Sequence, residues 1–203
     1  MSKRRWFGPS KAELWRQLAD TIGGEYIESK WGTGDKVVAT HGQWTFTLDT
    51  YVVPAGKTII MFTRLRAPYI NPEGFRFHIY RRGFFTELRK KLGMQDIEIG
   101  AEPFDHDFVI KSNDEERVKT LFADSGLRRQ LSALPQVSLE VKDSEGWFGP
   151  SFPDDVDELF FSIAGIVKDV TVLQGLFGLF ASTLDRLCEI GSAYADDPEV
   201  QVR

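Results

Sequence analysis

The chain has 203 residues, of which 42% are hydrophobic and 27% are charged, and its formal net charge is −5. This composition suits one domain, or two tightly packed halves, with a sizeable core, and the acidic balance argues against a generally basic nucleic-acid-binding surface. The basic N-terminus lacks the apolar stretch of a secretory signal, and no window reaches the roughly 20 apolar residues of a membrane-spanning helix. Since the single cysteine, Cys188, cannot form an intramolecular disulfide, we expect a cytoplasmic protein.

The stretch WFGPS occurs twice, beginning at Trp6 and at Trp147. After the first copy, apolar residues recur at helical spacing, Ser10 and Glu13 form a capping box, and a glycine pair beginning at Gly23 ends the pattern. The second copy precedes a dissimilar segment. We therefore interpret the motif as turn chemistry that holds the chain to the core, with exposed aromatic anchors at a partner surface as the alternative.

Five runs rich in β-branched and aromatic residues follow the first helix, separated by Gly and Pro turn signals. They are EYIESKW, KVVATH, QWTFTLDTYVV, TIIMFTRLRA and FRFHIYRR. This spacing predicts an antiparallel meander. The stretch FFTELRKKLGM then predicts a short helix that ends near Gly93, and it closes a first half spanning residues 1–93.

The second half, residues 94–203, mixes strands and helices. QDIEIG, FDHDFVIK and QVSLEVKD alternate and predict strands, while Ser112 and Glu115 predict a capping box at the start of a helix. SFPDDVDELFFSIAGIV fits a strand, or a short helix followed by a strand, and we favour the strand. A long apolar stripe in KDVTVLQGLFGLFASTLDRLCEIG predicts a closing helix. We expect it to be buried, with a homodimer contact as the alternative, and the whole chain to be an α+β protein.

Several segments of the chain resemble uncharacterised bacterial proteins that recur as domains of unknown function. They are FRFHIYRRGFF, GMQDIEIG, FDHDFVIKSNDEERVKTLF and GIVKDVTVLQGLFGLF, which span roughly the last two thirds of the sequence. The resemblance implies a bacterial origin. It brings no assigned activity.

Positive charge is concentrated between Lys57 and Lys91, which hold nine Lys or Arg against two acids, while the rest of the chain has 16 basic and 28 acidic residues. Alternation in three predicted strands assigns one set of side chains to a core face: Trp44, Phe46, Leu48, Ile59, Met61, Leu65, Phe75, Phe77 and Ile79. The opposite face receives Thr45, Thr47, Asp49, Tyr51, Ile60, Phe62, Arg64, Arg66, Arg76, His78, Tyr80 and Arg82.

If these three strands are neighbours, four arginines share one surface and offer planar bidentate donors to a carboxylate or phosphate. We therefore predict a non-enzymatic binding module for an anionic small molecule or an acidic protein segment. Its predicted site is Asp49, Arg64, Arg66, Arg76, His78, Tyr80 and Arg82. The alternative is a solvated face whose arginines pair with Asp49 and with acids elsewhere. Neither a cofactor nor a resident metal is predicted.

Two other classes of function stay open. Asp105 and Asp107 suggest a metal-dependent enzyme, although in a strand His106 faces the opposite way and a hard cation needs further ligands. The sequence holds none of the common catalytic motifs, which disfavours an enzyme. A site assembled from distant residues, such as His78 with Asp49 or His106 with Asp157, is a second enzymatic possibility, because catalytic groups need not be near in sequence. A nucleic-acid-binding role is disfavoured by the acidic remainder of the chain.

Overall fold

The structure is a computed structural model that describes residues 9–28, 34–83, 96–134, 136–144, 152–200 and 202. In chain order the described elements are α1 (Lys11–Ile22), β1 (Glu25–Ile27), β2 (Lys36–His41), β3 (Trp44–Ala55), β4 (Thr58–Ile70), β5 (Phe77–Arg81), α2 (Glu102–Asp107), β6 (Phe108–Ser112), α3 (Glu115–Phe122), α4 (Ser125–Ser132), β7 (Ser138–Lys142), β8 (Val156–Ala164) and α5 (Val170–Glu189). A helix near each end and an antiparallel sheet between them confirm the α+β prediction.

Helix α1 begins and ends where the sequence predicts. The Ser10 hydroxyl accepts the backbone N–H of Glu13 at 3.2 Å, and the Glu13 carboxylate accepts the backbone N–H of Ser10 at 2.9 Å. Gly23 ends the helix with a left-handed φ of 68°. A Cβ on the next residue, Gly24, would lie 2.6 Å from the Val38 carbonyl oxygen, so the close approach of β2 requires glycine there. Residues 6–8 and 147–151 of the two WFGPS copies lie outside the described residues.

The eight described strands join one antiparallel sheet in the order β1-β2-β3-β4-β8-β7-β5-β6. The meander over β1 to β4 is as predicted. The expectation that the strand near residue 75 lies beside the strand near residue 58 is wrong, because β8 and β7 lie between β4 and β5. Alternation determines which face a side chain occupies, but it carries no information about which strand is the neighbour. Strands from both predicted halves therefore share one sheet.

One face of the sheet, which we call the helix face, packs against all five described helices. Its core includes Trp15 of α1, Leu121 of α3, Phe180 of α5 and Phe161 of β8, each buried. Two residues assigned to this core, Ile59 and Met61, are instead exposed. Strands β3 and β4 run past the ends of β2 and β8, so none of the described helices covers these two side chains.

The closing helix α5 is amphipathic to buried, as predicted. Its apolar stripe, which includes Leu176, Leu184 and Leu187, packs on the sheet, while Gly175 and Gly178 lie on the exposed side. The Asp169 carboxylate caps the helix by accepting backbone N–H groups of the first turn. A homodimer contact through this helix stays a prediction.

The segment FDHDFVIK is not one strand, and this prediction is wrong in its first part. Residues 102–107 form α2, and only the strand β6 that follows is extended. Pro103 suits the first turn of a helix, where its missing N–H costs nothing, and the Asp105 carboxylate accepts the backbone N–H groups of Ile99 at 3.0 Å and Ala101 at 2.7 Å. These bonds favour the helical turn over an alternating strand.

Helix α3 forms, but its predicted cap is displaced by two residues. Asp114 is the N-cap and accepts the N–H of Arg117 at 3.0 Å, whereas the Ser112 hydroxyl accepts the N–H of Asp114 and belongs to β6. Helix α4 was not predicted at all, although Asp124 and the leucines that follow it give a cap and an i, i+4 pair. Residues 96–99 form no strand, and the predicted helix over 84–93 lies outside the described residues.

The structure confirms two further predicted strands. Strand β7 lies in QVSLEVKD, and strand β8 lies in the segment after the second WFGPS copy. None of the described helices combines the length and apolar character needed to cross a membrane.

Candidate functional site

The second face of the sheet, which we call the polar face, points away from the five described helices. Residues paired across antiparallel strands point to the same side, so the strand register assigns its members. They are Thr45, Thr47, Asp49, Tyr51, Phe62, Arg64, Arg66, Glu158, Phe160, Ser162, Ser138, Glu140, Lys142, His78 and Tyr80. Many of these polar side chains are buried, which is unusual for a sheet face that none of the described helices covers.

An arginine–aspartate cluster of Asp49, Arg64 and Arg66 lies at the centre of this face. Arg64 is directly opposite Asp49 in the register, and it donates from Nε to Oδ1 at 2.5 Å and from Nη2 to Oδ2 at 3.0 Å. Arg66, two residues along the same face of β4, donates from Nη2 to Oδ2 at 2.8 Å. One carboxylate therefore bridges two guanidinium groups.

The burial of this cluster is costly. Arg66 is 0% exposed, Asp49 is buried, and only Arg64 reaches water. Removing a charged group from water costs several kcal/mol after relaxation, so apolar residues of the same volume would stabilise the fold as well or better. The burial of these charges is therefore weak evidence for stability and a reason to look for a binding role.

Aromatic side chains hold the cluster in place on one side. The Arg64 guanidinium lies over the Tyr51 ring at 5.1 Å, and Tyr51 stacks on Phe62 with ring centroids 5.3 Å apart. Burial raises the pKa of Tyr51, so its hydroxyl stays protonated at neutral pH. A guanidinium stacked on a rigid ring loses less conformational freedom when it binds a ligand.

His78 of β5, which is separated from β4 by β8 and β7, forms a neutral polar group with residues of β7. Its Nε2 lies 2.8 Å from the Ser138 hydroxyl oxygen, and its Nδ1 lies 4.0 Å from a carboxylate oxygen of Glu140. Burial lowers the pKa of His78, although Glu140 opposes the shift. The imidazole is therefore uncharged at neutral pH, and it offers a hydrogen bond rather than a positive charge. Tyr80 packs beside it with ring centroids 4.7 Å apart.

Strand β7 contributes polar-face residues that the sequence analysis missed. Ser138, Glu140 and Lys142 alternate along QVSLEVKD. The Lys142 Nζ atom lies 3.0 Å from Glu140 Oε1 and 3.2 Å from the centre of the Phe160 ring. The alternation was readable, but nothing local indicated that β7 lies between β8 and β5. Glu158 and Ser162 of β8 were missed for the same reason.

Arg76 does not join the cluster. It lies at an end of the sheet, where its Nε and Nη2 donate to the Asp157 carboxylate at 3.0 Å each, and its Nη1 donates to Asp143 at 3.0 Å. The bonds to Asp157 raise the pKa of Arg76. Asp157 also accepts the amide of Asn71 at 2.6 Å, and these residues line an open cleft of about 760 Å³.

Arg82 is also separate from the cluster. It lies just past β5, and its guanidinium donates to backbone carbonyls of His106 at 3.1 Å and Phe108 at 3.3 Å, at the C-terminal end of α2. Of the seven predicted residues, the structure therefore brings together Asp49, Arg64 and Arg66, places His78 and Tyr80 elsewhere on the polar face, and puts Arg76 and Arg82 outside it. The alternative expectation of arginine–acid pairing holds for Arg64, Arg66 and Arg76.

The acidic stretch near α2 has structural partners. Asp105 accepts two backbone N–H groups, and Asp107 accepts from Arg81 at 3.3 Å and lies 3.2 Å from His106 Nδ1. Within the described ranges, no three His, Cys, Asp or Glu side chains are placed to hold a metal ion. The two distant pairings also do not form, because Asp49 binds Arg64 and Arg66 while Asp157 binds Asn71 and Arg76.

A cavity of about 360 Å³ adjoins the cluster. Its walls include Lys36, Thr47 and Pro68 from the sheet, with Asp197 and Glu199 from the C-terminal segment. Thr47 is the direct cross-strand partner of Arg66, so the cavity begins one residue from the buried guanidinium. This volume falls at the lower end of the range of small-molecule sites.

Neither a family model, nor a curated protein, nor a solved structure matches this chain.

Proposed function

We propose that this protein is a non-enzymatic binding module whose polar face binds an anionic small molecule or an acidic protein segment. The observation that carries the proposal is the arginine–aspartate cluster, in which Arg64 and Arg66 share the Asp49 carboxylate on a largely buried sheet surface. We propose that the protein works in the cytoplasm, because its single cysteine is a half-buried residue packed against the core.

The cluster already has the geometry of an anion site. Two guanidinium groups converge on one carboxylate, and the bidentate contact of Arg64 is the arrangement that guanidinium groups use for carboxylate and phosphate. Arg64 is the partly exposed member, with 21% of its side chain open to water. A ligand anion would therefore reach the cluster through Arg64, while Arg66 and Asp49 fix the position of the guanidinium group.

The neighbouring polar groups favour a ligand that also accepts or donates hydrogen bonds. His78 is neutral because burial lowers its pKa, and together with Ser138 it supplies donors and acceptors without charge. Polar groups that require a specific partner discriminate strongly between ligands, because a mismatched ligand leaves them unpaired.

The polar face also accommodates an acidic stretch of the chain itself. Asp197 and Glu199 line the cavity beside Thr47 together with Lys36. Acidic side chains of this chain thus already lie beside the polar face, which supports the acidic-segment form of the proposal.

Native mass spectrometry of the full chain purified at low salt is the experiment that tests this function. We expect an anionic adduct, or a co-purified acidic protein, that is lost at high salt, because exposed parts of charge-assisted contacts are screened. Its mass distinguishes the two ligand classes. A bare mass at every salt concentration, together with no stabilisation by a panel of carboxylates, phosphates and acidic peptides, would contradict the proposal.

Two arginine variants sharpen this experiment. Arg64→Gln removes the charge that reaches water at the cluster and should abolish the adduct. The matched control, Arg82→Gln, removes an arginine whose hydrogen bonds among the described residues go to backbone carbonyls near α2, and the adduct should persist. Equal losses in both variants would mean that a general positive charge, and not the cluster, holds the ligand.

A further inference from the structure

The tip of the β3–β4 hairpin extends beyond the sheet. Strand β2 pairs with β3 only as far as Leu48, and β8 pairs with β4 only from Phe62 onward, so beyond these points none of the other described strands pairs with the hairpin. A two-residue turn closes it, with Gly56 at a φ of 63° that favours glycine. Within the part of the chain that the structure describes, the hairpin is thus a two-stranded projection with no third strand on either side.

Apolar side chains cover both faces of this projection. Val52 pairs with Met61 on one face, and Val53 pairs with Ile60 on the other. Ile59 is 72% exposed, and Val52, Ile60 and Met61 are also exposed. We call these four residues, with the exposed Ile166 that lies close by, the apolar tip. The carbonyl of Met61 accepts the N–H of Gly165 at 2.7 Å, which fixes the loop of Ile166 at the base of the hairpin.

The charges near the apolar tip are positive. Between Thr50 and Phe62 the sequence holds one charged residue, Lys57 at the turn, and the adjacent loop adds Lys168. The acid that follows, Asp169, accepts N–H groups of Thr171 and Val172 at the start of α5. This part of the surface is therefore apolar and basic in a chain whose net charge is −5.

We propose that the apolar tip docks on an anionic lipid surface. A projection that is apolar on both faces suits a medium that surrounds it, and a flat partner would cover only one face. Its five exposed side chains are far fewer than the roughly 20–30 residues that each partner of a standard protein interface contributes, which disfavours a second copy of the chain. The lysines Lys57 and Lys168 complement the negative headgroups.

The depth of this contact is limited by the backbone. Among the described strands, no outer neighbour pairs with the tip beyond Leu48 of β3 and Met61 of β4, so the outer N–H and C=O groups there must remain near water or headgroups. The tip therefore rests at the interface, where apolar side chains enter the headgroup and upper acyl region. This docking is independent of ligand binding on the polar face.

Co-sedimentation of the full chain with vesicles tests the proposal. We expect binding to vesicles of phosphatidylcholine with phosphatidylglycerol and much weaker binding to phosphatidylcholine alone. The double substitution Ile59→Asp with Ile60→Asp should lower the partition coefficient at least tenfold. Ile27→Asp is the matched control, because Ile27 is an exposed isoleucine in strand β1 of the same sheet, and it should leave binding unchanged.

Charge-reversal variants test the electrostatic contribution to vesicle binding. Lys57→Glu with Lys168→Glu should weaken binding by about fivefold or more for each lysine, since one basic residue near an anionic surface contributes about that factor. Lys119→Glu with Arg129→Glu changes the net charge equally on helices α3 and α4, and it should have little effect. Circular dichroism verifies that all variants are folded.

A direct probe covers the case in which the aspartate variant fails to fold. A dye attached to Ile59→Cys, in a Cys188→Ser background, should shift its emission to shorter wavelength when anionic vesicles are added. Three results would overturn the proposal: equal binding to both kinds of vesicle, equal losses with Ile27→Asp, or a concentration-dependent dimer that forms through the tip while vesicles do not bind. The last result would assign the tip to a second copy of the chain.

Discussion

The two faces of the sheet bury side chains of opposite character. On the helix face, five described helices cover apolar residues such as Leu65 and Phe161, and the hydrophobic effect accounts for their burial. On the polar face, Asp49, Arg66 and Glu158 are buried with almost no exposure. Stability explains why the apolar side chains of the helix face are buried. It does not explain why the charged side chains of the polar face are buried. The difference indicates that function is to be sought where burial costs free energy.

Adjacent phenylalanines in β8 test this contrast most strongly. Phe161 packs among the helices and Phe160 lies on the polar face, although both are buried. We expect Phe161→Ala to lower the free energy of unfolding by about 3–5 kcal/mol, the usual cost of truncating a core aromatic residue. Phe160→Ala should cost about 1–2 kcal/mol less, because its neighbours Tyr51 and Lys142 allow water to enter.

Urea denaturation of the two variants measures both quantities. Equal losses would mean that the polar face is packed like a second hydrophobic core, and the contrast between the faces would then be false.

Removal of the bridging carboxylate should have the next largest effect on the free energy of unfolding. Asp49→Ala leaves Arg64 and Arg66 next to each other without the group that neutralises them. We expect a loss of about 3 kcal/mol, the low end for breaking a buried ion pair, because Arg64 has access to water. Acetate or phosphate should then stabilise the variant more than the natural protein, since an anion that binds only the folded state raises its stability.

Thermal melting with increasing acetate measures this rescue. Asp143→Ala is the control, because Asp143 is an exposed acid that pairs with Arg76 at the end of the sheet. Its melting temperature should respond to acetate as the natural protein does. If acetate rescues neither variant, the two arginines of the cluster do not form an anion site.

The smallest expected effect concerns the protonation of His78. Burial lowers the pKa of His78 below its ordinary value of 6.5. The unfolded chain therefore takes up a proton as the pH falls through 6.5 while the folded protein does not, so the free energy of unfolding decreases below that pH. His78→Gln keeps a hydrogen-bonding partner for Ser138 and removes the titration.

Chemical denaturation at pH 7 and at pH 5 compares the two proteins. The difference between the two pH values should be larger in the natural protein than in the variant. The same dependence in both would show that other groups, not His78, determine the acid sensitivity.

Local signals in the sequence predicted the elements whose ends are determined by their own residues. Helix α1 has its capping box at Ser10 and its glycine stop, and α5 has a continuous apolar stripe. Where a side chain satisfies the backbone in an unexpected way, the prediction was wrong. Asp105 binds two N–H groups and turns residues 102–107 into a helix, and Asp114 takes the cap expected of Ser112.

The candidate site was predictable in part. The pairing of Asp49 with Arg64 lies within one hairpin, and the alternation of β3 and β4 places both on one face. Ser138 and Glu158 join the polar face through strands that are far away in sequence. No local sequence pattern indicates that these strands are neighbours of β4 and β5 in the sheet. Arg76 and Arg82 were grouped with the cluster because β5 was expected beside β4, and because the alternation was extended to residues that lie just outside the strand.

The position of β8 at the centre of the sheet has a consequence for how the chain folds. Thr63 and Gly165 are 102 residues apart in sequence, yet the hydroxyl of one donates to the carbonyl of the other. Until the ribosome has released β8, the long strand β4 has an open edge that can pair with another nascent chain. Contacts of such long range make folding slow, so we expect this protein to depend on chaperones during synthesis more than a helical bundle of equal length does.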